Sequence, residues 1–252
     1  MHNLVIDIGN TNAKLAVFSG RELIDYQVHK QITPEILKAV SDRYPVTAAT
    51  VSSVAGNAGD IAGMLDEKTS YLPFSTALNT GIKNHYRSVA TLGPDRWAKI
   101  IAANYYYPGR DCLIIDLGTC ITCDLLNRRS EYYGGSISPG IHMRFAALNH
   151  YTGKLPLVAW DSAGETEILP GTDTINAIRN GVLQGVIYEL EGVISHEHRE
   201  NGELMVLITG GDARFLLEQL KNTIFAPQLI HDPYLVLKGL NEVIVFEHVQ
   251  KD

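Results

Sequence analysis

Residues 3–18 read NLVIDIGNTNAKLAVF, and residues 112–127 read CLIIDLGTCITCDLLN. When the two stretches are superimposed, Asp7 falls on Asp116, and the glycine two residues later and the three apolar residues before each Asp also coincide. An apolar run, a polar turn and an alternating return run predict a β-hairpin in each copy. Because the copies lie 109 residues apart, from position 7 to position 116, the duplication predicts two lobes of one topology and not a stacked repeat.

Strand-like and helix-like stretches alternate along the rest of the chain, which predicts an α/β fold. We predict helices over residues 34–44, 60–68, 94–107, 174–200 and about 234–250, and strands over residues 46–54 and 204–209. Gly93 is suited to a helix N-cap and Pro94 to the first helical position. Pro108-Gly109 interrupts the chain just before the second hairpin, so the predicted lobes are residues 1–108 and 109–252, with the final helix folding back on the first lobe.

The composition excludes several classes of protein. A hydrophobic fraction of 45% with 19% charged residues is typical of a globular protein, and a net charge of -7 argues against a broad nucleic-acid or acidic-membrane surface. No apolar run has the length of a membrane span, and the N-terminus lacks the basic region and cleavage site of a signal peptide, so we expect a cytoplasmic protein. Cys120 and Cys123 have the Cys-x-x-Cys spacing, but without a second pair we interpret them as strand residues.

The duplicated turns have the chemistry of a phosphate site. An Asp-x-Gly turn at a strand end places a carboxylate at the edge of the sheet, and the glycine lets backbone N–H groups point outward. In the first copy Asn10, Thr11 and Asn12 add polar groups and Lys14 adds a positive charge, while in the second copy Thr119 adds a hydroxyl. We therefore expect the two turns to face each other and to bind one nucleoside triphosphate.

An ordinary tight turn is the alternative interpretation of each Asp-x-Gly segment, because Asp, Asn and Gly are common turn residues. Repetition of the flanking strands, together with Gly210-Gly211-Asp212 after a third predicted strand, favours the phosphate site. The chain contains neither GxxxxGK[ST] nor GxGxxG, which disfavours the P-loop and dinucleotide-binding folds.

Taken in order, these segments resemble the motifs of the type III pantothenate kinase family, within the superfamily of acetate and sugar kinases, Hsp70 and actin. The matching segments are Asp7-x-Gly-Asn-Thr-Asn, Gly93-Pro94-Asp95-Arg96, Asp116-x-Gly-Thr, Gly134-Gly135-x-Ile-x-Pro139-Gly140, Thr152-x-x-Leu155-Pro156, Asp173-Thr174 and Thr209-Gly210-Gly211-Asp212. The resemblance covers nearly the whole chain. It implies two ribonuclease-H-like lobes with an ATP cleft between them, and an enzyme that uses ATP to phosphorylate the primary hydroxyl of pantothenate to 4′-phosphopantothenate, the first step of coenzyme A biosynthesis.

The resemblance also implies roles for individual residues. Asp95 corresponds to the catalytic base, and Tyr86, Gly93, Pro94, Asp95, Arg96 and Thr174 correspond to pantothenate-binding residues. ATP binding is implied for Asp7, Ile8, Gly9, Asn10, Thr11, Asn12, Ala13, Lys14 and Thr119. The residue types agree with this chemistry, because a guanidinium offers a planar donor fork to a carboxylate and a carboxylate can orient an attacking hydroxyl. For Asp95 and Arg96 the alternative is a structural role in a first helical turn.

Cations and a partner subunit follow from the same resemblance. Asp7 corresponds to a residue near Mg²⁺, and Asp116 to the ligand of a monovalent cation, K⁺ or NH₄⁺. Thr174 corresponds to a threonine that reaches the pantothenate site across a dimer interface, so we expect a homodimer, although a helix N-cap is the alternative role. The second Asp-x-Gly-Thr is followed by Cys120 where the family usually has alanine, and this small replacement should fit.

Some assignments stay open at this level. His150 corresponds to a histidine of the pantothenate pocket only if the alignment around Asn149–Tyr151 is correct. His196-Glu197-His198 lacks the spacing of the HExxH zinc motif, so we interpret it as a solvated helix end. Two other functions are considered: a kinase of the same fold acting on a sugar hydroxyl, and a nucleotide-binding regulator without enzymatic activity.

Overall fold

The computed structural model describes residues 2–54, 58–78, 80–161, 164 and 167–249. The chain forms two compact units. Unit 1 comprises Met1–Pro108, Ser130–Tyr133 and Tyr234–Asp252, and unit 2 comprises Gly109–Arg129 and Gly134–Pro233. Within the described ranges, no helix combines the length and the apolar character that crossing a membrane requires.

Strands and helices alternate along both units. In chain order the strands are β1 (His2–Ile8), β2 (Ala13–Ser19), β3 (Glu22–His29), β4 (Val46–Ser53), β5 (Ser70–Tyr71), β6 (Lys83–Asn84), β7 (Asp111–Leu117), β8 (Cys120–Leu126), β9 (Glu131–Pro139), β10 (Leu204–Thr209) and β11 (Leu229–His231). The helices are α1 (Pro34–Arg43), α2 (Ala58–Ala62), α3 (Pro94–Tyr106), α4 (Ile141–His150), α5 (Thr174–Asn201), α6 (Ala213–Leu220) and α7 (Leu235–Val249). The predicted α/β fold is confirmed.

The two sheets repeat one topology. In unit 1 the strand order is β3-β2-β1-β4-β5, and in the second sheet five consecutive strands have the order β9-β8-β7-β10-β11. In each sheet the first hairpin is antiparallel, and its first strand pairs in parallel with the next long strand, β1 with β4 and β7 with β10. Each sheet then ends on a further parallel strand, β5 or β11. The duplication predicted from the two hairpins is therefore present in the topology.

The apolar run of β1 is explained by burial on both faces of the sheet. Side chains alternate between the faces of a strand, so Leu4 and Ile6 pack with residues of α1, while Val5 packs with residues of α7. Helix α7 lies within unit 1, where it also packs on α3. At Gly239 a Cβ would lie 1.8 Å from the Ala98 carbonyl oxygen, so only glycine permits this close approach of the two helices.

Two parts of the predicted secondary structure differ from the structure. The helix predicted over residues 60–68 is wrong beyond Ala62, because the chain there forms turns in which the Asp66 carboxylate accepts a hydrogen bond from the Lys68 N–H. Strands β3, β5, β6, β9 and β11 were not predicted. β9 carries Gly134-Gly135, a pair that is typical of a loop.

Candidate active site

The first Asp-x-Gly turn closes the β1–β2 hairpin of unit 1. Asp7 lies opposite Lys14 on β2 and opposite Ser52 on the parallel neighbour β4. The Gly9 N–H donates to the Asn12 carbonyl oxygen over 3.1 Å, which fixes the backbone of the turn. Asn10 and Thr11 are exposed at its tip, Ile8, Asn12 and Lys14 are half-buried, and Ala13 is buried. The eight residues predicted to bind ATP in this unit thus form one continuous hairpin end.

Asp7 is a buried carboxylate with an unsatisfied oxygen. Its side chain is only 7% exposed, and among the described residues its Oδ1 atom has no hydrogen-bond partner. Burial raises the pKa of Asp7 to about 6; the charge of Lys14 opposes this rise, and the charge of Asp95 adds to it. A carboxylate in this state favours a proton or a cation near Oδ1. The charges of Lys14, Asp95 and Lys99 act on the Asp7 carboxylate, and these four residues are named the charged cluster.

The segment Gly93-Pro94-Asp95-Arg96 begins helix α3. Gly93 is the N-cap and Pro94 the first helical residue, as predicted, and the Trp97 N–H donates to the Gly93 carbonyl oxygen over 3.1 Å. A Cβ at position 93 would lie 2.7 Å from Oδ1 of Asp95, which is closer than real Cβ contacts. The glycine therefore leaves the space that the Asp95 carboxylate occupies.

Lys99 is a member of the site that the sequence did not reveal. Its Nζ lies 3.2 Å from Oδ2 of Asp95, one helical turn earlier on α3, and its side chain is 1% exposed. The charge of Lys99 also lowers the pKa of Asp7. The spacing of four residues was a signal, but such a pair is usually interpreted as a solvated helix face.

Arg96 and Tyr86 lie together beside an aromatic cluster. Arg96 is buried, and its guanidinium carbon is 5.6 Å from the centre of the Tyr86 ring. Tyr86 stacks on Tyr132 with ring centres 6.1 Å apart, and Tyr132 is also in contact with Trp97. Two residues predicted to bind the same substrate are therefore adjacent. Tyr132 and Trp97 were not predicted, because aromatic residues in strands and helices are usually core residues.

The second Asp-x-Gly turn closes the β7–β8 hairpin of unit 2. Asp116 lies opposite Thr122 on β8 and Thr209 on β10. The Gly118 N–H donates to the Cys120 carbonyl oxygen over 3.1 Å, as Gly9 does in the first copy. Thr119 is exposed at the tip. This turn is shorter than the first and leaves fewer polar side chains beside its carboxylate.

Two other predicted motifs of unit 2 meet this turn. At Gly210, where φ is +99°, a Cβ would lie 2.4 Å from the Leu117 carbonyl oxygen and 2.5 Å from Oδ1 of Asp116. The Gly140 N–H donates to the Thr119 carbonyl oxygen over 3.1 Å, and a Cβ there would also overlap the turn backbone. The structure thus brings together Asp116-x-Gly-Thr, Pro139-Gly140 and Gly210-Gly211-Asp212, which lie far apart in sequence.

Thr174 lies on a different element, at the first position of α5. It is exposed, and the N-cap is Asp173, whose carboxylate accepts a hydrogen bond of 2.9 Å from the Asn176 N–H. This bond lowers the pKa of Asp173. The alternative role of Thr174 as the N-cap is therefore wrong, and its hydroxyl is not used in capping.

The histidines and cysteines discussed in the sequence form no metal site. His150 is exposed at the end of α4, edge-on to Tyr151, so its role stays a prediction. Within the described part of the chain, no group of three His, Cys, Asp or Glu side chains is arranged to hold a metal ion. His196, Glu197 and His198 lie within this part and form no such group. Burial raises the pKa of the Cys123 thiol to about 12, so this cysteine is unreactive near neutral pH.

Comparison with known proteins identifies the family. A family model described as type III pantothenate kinase matches residues 3–196. A type III pantothenate kinase of Phocaeicola vulgatus is 40% identical over 249 residues, which are 97% of this chain and 98% of the relative.

Solved structures share the fold at much lower identity. A protein of Campylobacter jejuni described as a Baf family transcriptional activator has a TM-score of 0.61 at 22% identity and covers 97% of this chain and 98% of its own. The activator of the 2-hydroxyisocaproyl-CoA dehydratase from Clostridium difficile, solved with ADPNP, has a TM-score of 0.54 at 12% identity, with coverages of 100% and 97%. The family model and the relative that is 40% identical over nearly its full length show that this chain belongs to the type III pantothenate kinase family.

Proposed function

We propose that this chain transfers the γ-phosphoryl group of ATP to the primary hydroxyl of pantothenate, with Asp95 as the base that receives the hydroxyl proton. Family membership supports the reaction itself: the chain is an ATP-using kinase that phosphorylates pantothenate in coenzyme A biosynthesis. The observation that carries the assignment of residues is the cluster of Asp7, Lys14, Asp95 and Lys99, which lies within one unit. The other site residues are assigned around this cluster.

Asp95 has the surroundings that a positioned carboxylate needs. Phosphoryl transfer passes through a loose transition state, so the carboxylate mainly orients the attacking hydroxyl and accepts its proton late. Asp95 is 31% exposed, so its carboxylate can meet a substrate, while the Lys99 ammonium holds one of its oxygens. The other oxygen, Oδ1, is not obstructed, because Gly93 at the helix N-cap has no side chain. In this step a bond forms between the hydroxyl oxygen and the γ-phosphorus, and the bond between that phosphorus and ADP breaks. The hydroxyl proton moves to Asp95.

Arg96 and Tyr86 are the proposed binding residues for the rest of pantothenate. A guanidinium forms two parallel hydrogen bonds with a carboxylate, and pantothenate carries one carboxylate. Arg96 is buried and lies over the Tyr86 ring, so its orientation is restricted before substrate binds. Pro94 fixes the start of the helix that carries both Asp95 and Arg96. These contacts favour a small acid over a sugar as the acceptor.

The first hairpin is the proposed site for the ATP phosphates and Mg²⁺. Mg²⁺ is usually held by one or two carboxylates together with phosphate oxygens and waters. Asp7 fits this requirement, because its buried Oδ1 has no hydrogen-bond partner among the residues that the structure describes and its raised pKa favours an added positive charge. When bound, the ion would neutralise charge on the transferred phosphate. Lys14 and the polar turn of residues 9–12 would bind phosphate oxygens through their N–H and ammonium groups.

The second hairpin is the proposed site for a monovalent cation, K⁺ or NH₄⁺, with Asp116 as its ligand. The surrounding donors are oxygens, since the Leu117 carbonyl and the Asp116 carboxylate both lie against Gly210. Hard cations favour such donors. Thr119 at the exposed tip is the proposed contact to ATP in this unit. We also propose that the ATP-binding lobes divide after Pro108 and that the enzyme acts in the cytoplasm.

We propose a homodimer in which Thr174 completes the pantothenate site of the partner chain. Thr174 is exposed and is not needed for helix capping. Further along α5, Gly181, Gly185, Tyr188 and Gly192 follow a spacing of four, three and four residues, which places them on one helix face. Tyr188 is 64% exposed, and a Cβ at any of the three glycines would meet open space. Such a face allows a second helix to approach closely.

The proposed function is tested by coupling ADP release to pantothenate. The purified chain is assayed with ATP and Mg²⁺, with and without K⁺ or NH₄⁺, and the product is identified by mass spectrometry. We expect turnover that requires pantothenate and rises with the monovalent cation. A panel of sugars serves as the matched set of other alcohol acceptors. Turnover with a sugar but not with pantothenate would show that the acceptor is wrong, and no turnover in any condition would contradict the proposed reaction.

A further inference from the structure

The Lys99 ammonium is enclosed in unit 1. Its side chain is among the largest fully buried side chains of the described chain, at 1% exposure. Moving an ammonium group out of water is costly unless anionic or polar partners compensate. One partner is the Asp95 carboxylate, with Nζ 3.2 Å from Oδ2, and Lys99 has further interactions. Lys99 is therefore not an ordinary surface lysine of α3, and its burial beside the proposed base indicates a specific role.

The two oxygens of Asp95 have different surroundings. Oδ2 faces Lys99, while Oδ1 lies against Gly93 at the helix N-terminus. An ammonium bound to one oxygen restricts rotation of the carboxylate, so the other oxygen keeps a fixed direction. Reactions that depend on orientation lose rate when a reacting group is displaced by about 1 Å. The contact with Lys99 thus fixes the orientation of the Asp95 carboxylate.

Lys99 also acts on the second carboxylate of the cluster. The charge of Asp95 raises the pKa of Asp7, and the charge of Lys99 lowers it. Lys99 therefore offsets part of the repulsion between the two carboxylates, with a smaller effect on the pKa of Asp7 than Lys14 has. Lys14 contributes from β2, but it is not fixed to Asp95 by a described contact.

A second lysine–aspartate pair of the same spacing shows what an ordinary surface pair looks like. Lys38 and Asp42 on α1 form an ion pair of 2.8 Å, and their side chains are 74% and 65% exposed. Such exposed pairs contribute little, because water and salt screen them. The Lys99–Asp95 pair differs in that its lysine is withdrawn from water. This contrast supplies an internal control.

We propose that Lys99 is a positioning residue for phosphoryl transfer, holding the Asp95 carboxylate in the direction in which it meets the substrate hydroxyl. The proposal rests on the proposed function of Asp95 and adds a residue that acts through it. Lys99 itself need not touch either substrate. Its loss should therefore slow the chemical step and leave substrate binding nearly unchanged.

The test compares K99M and K99R with two controls, I100A and K38M. I100A removes a buried side chain next to Lys99 on the same helix, and K38M breaks the exposed pair. For each variant kcat and KM are measured for pantothenate and ATP, and unfolding is followed in urea. We expect K99M to lower kcat about 10–100-fold while both KM values stay within about threefold of wild type. The kcat of K99R should be at least about fivefold higher than that of K99M. I100A should destabilise the chain without this loss of kcat, and K38M should change neither quantity.

Two results would overturn the proposal: a K99M loss of kcat no larger than that of I100A, or equal kcat values for K99M and K99R. If K99M does not fold, D95N replaces it, because removal of the Asp95 charge leaves the buried Lys99 without this partner. D95N should then unfold at a lower urea concentration than D42N, and equal midpoints would contradict the pair. Wild-type turnover on pantothenate is measured first. Absence of wild-type turnover would reject the proposed function. The urea midpoints would still show whether the Lys99–Asp95 ion pair stabilises the fold.

Discussion

Oδ1 of Asp95 lies against Gly93, so close that a Cβ at position 93 would be 2.7 Å from it. The obstructing atom is the end of a side chain that can rotate, and the φ of Gly93 is -57°, which any residue adopts. G93A should therefore fold, with an unfolding free energy lower by about 1–3 kcal/mol, because the Asp95 carboxylate turns away and its contact with the buried Lys99 weakens. Turnover should fall about 10–100-fold, since the proposed base is displaced. Steady-state kinetics and urea unfolding of the same preparation measure both effects.

The control for G93A is G59A, because a Cβ at Gly59 meets nothing within 4 Å. This variant should keep wild-type turnover. If G93A also keeps it, the close contact between Gly93 and Asp95 has no functional meaning.

Asp7 should make stability depend on pH. Its folded-state pKa of about 6 lies above the ordinary value of 3.8, so the folded chain favours the protonated acid. Ionisation of Asp7 in the folded chain lowers the free energy of unfolding. This loss is absent below about pH 4, grows between about pH 4 and pH 6, and stays constant at higher pH, where it is at most about 3 kcal/mol. D7N should remove this cost and be more stable than wild type by about 1–3 kcal/mol at pH 7.5, while losing turnover.

The comparison of D7N with wild type uses urea unfolding between pH 4.5 and 7.5, without Mg²⁺ or nucleotide. The advantage of D7N should shrink as pH falls, because protonated Asp7 carries no charge. An unchanged difference across this range would show that Asp7 is not the titrating group.

Gly210 and Gly211 are adjacent but should respond differently to substitution. At Gly210 the φ of +99° is unfavourable for other residues, and a Cβ would overlap the backbone of Leu117. At Gly211 a Cβ meets nothing within 4 Å. G210A should lower the free energy of unfolding by about 2–4 kcal/mol, and G211A should change it by less than about 1 kcal/mol. Thermal unfolding of the two variants measures the difference, and equal melting temperatures would contradict the packing of this turn on β7.

The proposed dimer predicts complementation between two inactive variants. D95N lacks the base and T174A lacks the hydroxyl from the partner chain, so a mixed dimer has one intact site and one doubly defective site. Co-expressed D95N and T174A should recover about a quarter of wild-type activity if the chains assort at random into two-fold dimers. Each variant expressed alone is the control. Sedimentation measures the oligomeric state, and a monomer, or no recovered activity in a mixed dimer, would contradict the shared site.

The sequence predicted the topology because the duplicated hairpins carry strong local signals. Apolar runs before Asp7 and Asp116 mark central strands, and central strands determine the order of their neighbours. Strand β9 escaped prediction because its Gly134-Gly135 pair is typical of a loop. A Cβ at Gly135 would lie 1.9 Å from the Cys123 carbonyl oxygen, so the glycine serves close packing and not a turn.

The candidate site was predictable where motif chemistry is local, and not where it depends on tertiary contacts. Asp95 and Arg96 follow from a short motif at a helix start. The burial of Lys99 depends on how α3 packs, and the contact of Gly210 with Asp116 joins residues distant in sequence. The unsatisfied oxygen of Asp7 is likewise a property of its surroundings. Such features need coordinates, because the residue types alone are common on protein surfaces.

The central claim is that Asp95 is the base that activates the pantothenate hydroxyl, and D95N tests it most directly. Nucleotide affinity is measured by calorimetry, and turnover by ADP release that depends on pantothenate, for D95N and wild type in the same buffer. We predict that D95N binds ATP within about threefold of wild type and loses at least about 100-fold in kcat. Wild-type turnover in D95N would contradict the assignment of the base.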